Sequence, residues 1–167
     1  MTETATMTLK DKMMAEPGAI VETVAKEYGV TLREVVEALP EANRRFAAGS
    51  AFAEVMTEVA GWGTVTLIIH TDDGVNEFTG PIAAGKIAQS YYNIGGGTGF
   101  HGHLRYERCA RIAFVERPLF GRLSVSMLFI NVDGGIMHKI FVGRDEKREL
   151  LPDQLAKFRA LADRICI

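Results

Sequence analysis

Trp62-Gly-Thr-Val-Thr-Leu-Ile-Ile-His70-Thr-Asp-Asp-Gly74-Val-Asn-Glu-Phe-Thr79 is the stretch where the chain changes its period. Val65 to His70 is rich in β-branched and apolar residues, which suits a strand. Asp72-Asp73-Gly74 is a hairpin turn signal, and Val75 to Thr79 returns from it. Upstream of Trp62 the apolar residues recur at helical spacing; downstream they recur in short runs between turn residues.

The upstream part, residues 1–60, reads as helical. Ile20, Val21, Val24, Ala25 and Tyr28 share one helical face. Leu32, Val35, Val36 and Leu39 do the same after the Gly29-Val30-Thr31 turn. Thr31 with Glu34 spells a capping box, and Pro40 ends that helix. A third helix is predicted from Ser50 to Ala60, with Phe52, Val55, Met56 and Val59 inward and Gly61 as its stop. Downstream, residues 62–143 are mainly β. Further strands are predicted at Ile87–Ile94, Gly102–Glu107, Arg111–Glu116, Leu123–Asn131 and Met137–Val142, with a second hairpin at Asp133-Gly134-Gly135. Leu151 to Ile165 is an amphipathic helix with Leu155, Phe158, Leu161, Ala162 and Ile165 on one face. The expectation is one α+β domain over residues 1–167: N-terminal helices, a curved antiparallel sheet and a C-terminal helix.

Composition removes several classes. With 167 residues, 47% apolar and 24% charged, the chain has the material for one packed core. Nineteen basic residues against 21 acidic ones, a net charge of −2, provide no basic footprint for nucleic acid. No apolar run approaches the length of a membrane span. The N-terminus has no secretory pattern, and Cys109 and Cys166 stand alone, so a reducing cytoplasmic setting is expected.

Three of the four histidines lie in two segments, Leu67-Ile-Ile-His70-Thr71 and Gly95-Gly-Gly-Thr-Gly-Phe-His101-Gly-His103. Imidazole ligates iron, zinc and copper, so bare metal, haem and simple packing are all open for them. Gly97-x-Gly99-x-x-Gly102 matches a dinucleotide fingerprint by letters, but a strand follows it where a helix is required. His101 and His103 share one face of a strand, with Glu107 four residues on. This spacing resembles the first metal motif of the cupins and implies a metal-dependent enzyme. The second cupin motif is represented only by Gly135 and His138. Tyr28-Gly29-Val30-Thr31 between two helices resembles a helix-turn-helix, which implies a DNA-binding regulator. Glu34 and Glu37 on the second helix oppose phosphate.

Val30–Pro40, Trp62–Thr71, Glu77-Phe-Thr-Gly80, Gly102-His103-Leu104, Ile112–Arg117 and Lys139–Asp145 together, in this order, resemble the ChuX/HutX family of haem-utilisation proteins. The resemblance implies a cytoplasmic haem-binding carrier in haem uptake and iron utilisation, active as a homodimer. Each subunit would resemble half of the larger two-repeat haem proteins. The partner implied is a haem-degrading or haem-accepting protein; haem breakdown by the chain itself is the further alternative. The family's haem-linked histidines fall on His70 and His103, with His101 as a neighbour. Haem needs an imidazole for iron, apolar walls and cations for its propionates. Phe100, Met127 and Phe129 are the wall candidates; Lys139 and Arg144 are the cation candidates. The split histidine pair implies a cleft, with a dimer interface as one place for it.

Overall fold

The computed structural model describes residues 6–97 and 99–167. Three short helices come first: α1 (Leu9–Ala15), α2 (Val21–Tyr28) and α3 (Leu32–Glu37). Gly29 ends α2 with a φ of 63°, a left-handed form that glycine adopts without a Cβ clash. The predicted capping box is present: the Thr31 amide donates to Glu34 Oε2 at 2.8 Å, and the Glu34 amide donates to Thr31 Oγ1 at 3.2 Å.

The helical expectation for residues 1–60 fails at one place. Residues 44–48 form a strand, β1 (Arg44–Ala48), paired antiparallel with β7 (Cys109–Leu119). Five residues are too few to show a period, and the strand exists because β7 offers it an edge. The third predicted helix is α4 (Phe52–Ala60). The opening hairpin is β2 (Thr64–Thr71) and β3 (Gly74–Pro81), in a register that places His70 opposite Val75.

The single strand expected over Ile87–Ile94 is a hairpin, β4 (Gly85–Ala88) and β5 (Tyr91–Ile94). Gln89 and Ser90 turn the chain with φ values of 53° and 66°, a turn made without the glycine that would have announced it. The strand expected over Gly102–Glu107 is shorter: β6 (Gly102–Leu104) stops before a 3₁₀ turn at Tyr106–Arg108. Strands β8 (Arg122–Asn131) and β9 (Ile136–Phe141) follow, then α5 (Pro152–Ile165).

The strands make two antiparallel sheets, not one. The larger runs β1-β7-β8-β9-β2-β3, the smaller β4-β5-β6. One face of the larger sheet carries Val65, Leu67, Met127, Phe129 and Ile140 against Phe52 and Val55 of α4, Phe158 of α5 and Tyr92 of the smaller sheet. The other face carries Ala113, Val115, Leu128 and Ile130 beneath Val21, Val24, Val35 and Val36. Helices α2 and α3 are therefore a hairpin packed on the sheet. The six-residue α3 buries Val35 and Val36, and its outer side shows the exposed Glu34 and a Glu37 paired with Arg33 and Arg111. It presents carboxylates where a recognition helix needs cations, which speaks against the helix-turn-helix reading.

Two local devices hold the layers in place. Gln154 of α5, buried, accepts from the Gly143 amide at 2.7 Å and donates to the carbonyls of Trp62 at 3.0 Å and Thr64 at 2.7 Å. Gly134, in the β8–β9 turn, has a φ of 85°, and a Cβ there would lie 2.8 Å from Thr31 Cβ. Its carbonyl accepts from the Arg33 amide at 2.9 Å, so the turn is seated on the start of α3. No helix among the described residues is long and apolar enough to cross a membrane.

Candidate functional site

His70 sits near the end of β2. Val65, Leu67 and Ile69 point into the main core, so by strand alternation Thr66, Ile68 and His70 point to the face that bears the N-terminal helices. There His70 Nδ1 lies 3.2 Å from Oε1 of Glu22, a residue of α2. The same oxygen accepts from the Lys139 ammonium on β9, which register places beside Ile68. His70 is 26% exposed and Glu22 only 14%. Burial alone raises the Glu22 pKa, but the hydrogen bond and charge of Lys139, with a smaller contribution from His70, hold it below the usual carboxylate range.

His70 and Glu22 border a groove of about 400 Å³ whose apolar lining is Ala25, Val30, Leu32 and Ile136. Its rim carries Lys26 and Asp72, paired at 2.8 Å. The turn seated on α3 by Gly134 supplies Gly135 and Ile136 to this groove. On the same face of β2, Thr66 and Ile68 line a second groove of about 750 Å³ with Arg122, Arg144 and Arg148.

His103 lies on β6, paired with Asn93 of β5. Its Nδ1 is 2.6 Å from Asn93 Oδ1. The Asn93 amide nitrogen faces the carbonyls of Lys86 and Ala88, both at 3.1 Å, and of Tyr91 at 3.2 Å. Those acceptors fix which end of the amide faces the ring, so Oδ1 accepts and His103 Nδ1 carries the proton. Nε2 is left with its lone pair, on an exposed ring set edge-on to Tyr91 at 6.1 Å.

The chain does not bring the two histidines into one cleft. Leu104 faces the main core, so His103 points away from it, and the larger sheet lies between His103 and His70. The remaining candidates are also dispersed. Phe100 packs on Phe78 at 5.5 Å, at the margin of the core. Met127 and Phe129, expected as walls, are 0% exposed and sealed beneath α4; alternation along β8 put them on the covered face. Lys139 is buried and engaged by Glu22. Arg144 donates to the carbonyls of Arg148 at 3.0 Å and Leu123 at 2.5 Å, which leaves it on the rim of the second groove.

The cupin set does not assemble. His101 is exposed in the segment before β6, and the 3₁₀ turn takes Glu107 off the strand face. Among the described residues no three His, Cys, Asp or Glu side chains converge as a metal cage. Cys109 offers no thiolate, because burial pushes its pKa up to about 12.

Two polar residues escaped the sequence reading, and a third, His138, stood in it only as part of an incomplete cupin motif. Glu22 carries no signal of its own beside the apolar face of α2. Asn93 is a residue type that strands disfavour, which marks it as placed for its side chain. His138 alternates with Ile140 toward the core and is 2% exposed, with neither ring nitrogen hydrogen-bonded. It stacks on Phe129 at 4.1 Å, and burial pushes its pKa down to about 3.

The donor set fits an iron porphyrin. Two imidazoles each have Nδ1 facing an oxygen, which leaves Nε2 for iron, and His70 has apolar walls beside it.

Comparison with known proteins agrees with this chemistry. Residues 45–161 match the family model for haem utilisation ChuX/HutX. The intracellular heme transport protein HutX of Vibrio cholerae is 37% identical over 147 residues, 87% of this chain and 76% of that protein. A crystal structure of an Erwinia carotovora protein matches with a TM-score of 0.92 at 42% identity, covering 96% of this chain and 99% of that one. The structure of the heme binding protein ChuX matches with a TM-score of 0.86 at 38% identity, covering 94% and 98%. With an α+β fold of this kind and a family match across most of its length, the chain belongs to the haem utilisation ChuX/HutX family.

Proposed function

We propose that this protein is an intracellular haem carrier: it takes up haem reversibly in the cytoplasm and passes it to a haem-degrading or haem-accepting protein. The observation that carries this is His70, with Nδ1 facing a carboxylate and Nε2 free, beside an apolar groove. Haem is the cargo; His70 is the iron ligand of choice, and Ala25, Val30, Leu32 and Ile136 are the wall. Arg122, Arg144 and Arg148, on the neighbouring groove, are the cations proposed for the propionates. His103, exposed and with a free Nε2, is the second ligand, suited to first capture at the surface. An open groove leaves part of the macrocycle accessible, which transfer to a partner requires. The assembly proposed is a homodimer, and sedimentation equilibrium at micromolar protein tests it; a monomer there removes that part.

Haemin titration tests the ligands. The natural protein should produce a saturable, shifted Soret band. His70→Ala should weaken binding by about 10- to 100-fold and alter the band. His103→Ala should slow uptake with a smaller loss of affinity. A double variant that binds as the natural protein does would overturn the assignment. With a reductant present the Soret band should persist; catalytic bleaching would favour haem breakdown instead.

A further inference from the structure

We infer that Glu22 is a positioning residue for haem ligation and that Lys139 tempers it, so that the pair sets how tightly His70 holds iron. The inference rests on His70 being the haem ligand, as proposed above.

One carboxylate oxygen faces two partners from two different strands. Glu22 Oε1 is 3.2 Å from His70 Nδ1 on β2 and accepts from Lys139 Nζ on β9. All three side chains are largely withdrawn from water, so their mutual interactions are weakly screened. Arg117 also feels the Glu22 charge, but its guanidinium donates to the carbonyls of Pro17 at 3.0 Å and Ala19 at 2.6 Å. Lys139 is thus the cation that directly neutralises Glu22.

A metal-bound imidazole that donates its other N–H to a carboxylate becomes a stronger electron donor, and its ring orientation is fixed. Glu22 can do both for His70. A carboxylate already shared with an ammonium withdraws the imidazole proton less. Lys139 therefore keeps His70 closer to an ordinary neutral imidazole. For a carrier the balance matters: Glu22 favours capture and Lys139 preserves release. His103 differs in kind, because its anchor is the neutral amide of Asn93.

A buried ion pair that merely ties α2 to β9 makes a different prediction. Losing either partner would then weaken folding and haem retention together. Tuning predicts opposite signs for the two partners. The test uses the full chain loaded with haemin, with Glu22→Gln, Lys139→Met, the double variant and His70→Ala. Readouts are the haem reduction potential, the iron–histidine stretching frequency of the ferrous complex, and the rate of transfer to excess apomyoglobin.

Lys139→Met should lower the potential, raise the stretching frequency and slow transfer by about tenfold. Glu22→Gln should move all three the other way, also by about tenfold in transfer rate. In the Glu22→Gln background, Lys139→Met should change nothing further, because the carboxylate it tempered is gone. That comparison stands even if Lys139→Met alone fails to fold, since the double variant leaves no uncompensated charge. Shifts in the same direction, or none, while His70→Ala still abolishes the iron–histidine band, overturn the inference and leave the haem reading intact. An unchanged band in His70→Ala overturns the ligand assignment and the inference with it.

Discussion

His103 Nδ1 lies 2.6 Å from Asn93 Oδ1, across the β5–β6 register that sets the two residues side by side. Three backbone carbonyls hold the amide nitrogen of Asn93, so the amide cannot turn without losing them. For the neutral ring the relationship dictates a tautomer: proton on Nδ1, lone pair on Nε2. Long-range proton–nitrogen NMR spectra should find the neutral form of His103 as that tautomer. In Asn93→Leu the preference should disappear and haem uptake through His103 should slow. A proton on Nε2 in the natural protein contradicts the network.

His138 makes stability depend on pH. Its folded pKa is depressed to about 3 from an ordinary 6.5, because burial disfavours the charged ring. The unfolded chain therefore binds the extra proton first. The contribution is fully present above pH 6.5 and is lost as pH falls toward 3. Its ceiling is about 5 kcal/mol, with about 2 kcal/mol gone by pH 5. Urea unfolding at pH 7 and pH 5, on the natural protein and His138→Leu, isolates it from the carboxylates. The variant should gain about 2 kcal/mol on the natural protein over that interval. A constant difference between them would falsify the assignment.

Gln154 bridges α5, the start of β2 and the residues after β9 through three hydrogen bonds, two of them buried and the one to Thr64 partly so. Gln154→Leu keeps the volume and strands one amide and two carbonyls. At roughly 1–3 kcal/mol for an unsatisfied buried group, partly relieved by relaxation, about 3 kcal/mol of stability should go. Denaturant midpoints measure it. A loss below about 1 kcal/mol would mean that water replaces the glutamine.

Gly134→Ala should couple fold to site. The added Cβ meets Thr31 at a backbone φ of 85°, so both the turn and the α3 cap are strained. The expected cost is about 1–3 kcal/mol, read as a lowered melting temperature. The displaced turn carries Ile136, so haemin affinity should fall as well. Unchanged affinity in a destabilised variant would show that this wall does not touch haem.

The elements that were legible in sequence are those with a period long enough to read. The β2–β3 hairpin needed only Asp72-Asp73-Gly74 and the apolar runs around it. The capping box of α3, the inward face of α4 and the amphipathic α5 were equally local. Strand β1 was not legible, because its pairing partner, β7, lies far along the chain. The β4–β5 turn was hidden because Gln89 and Ser90 adopt left-handed backbone that their types do not advertise.

The two histidine segments could be picked out by residue type alone, since imidazole beside apolar residues is rare in this chain. Spacing also told which residues share a face of one strand. It could not tell which element that face meets. Only tertiary structure set Glu22 of α2 and Lys139 of β9 against His70. It alone turned His103 to the far side of the larger sheet and sealed Met127 and Phe129 under α4. Periodicity is a property of neighbours in the chain, whereas a binding site is made by neighbours in space, brought together by burying apolar faces far apart in sequence.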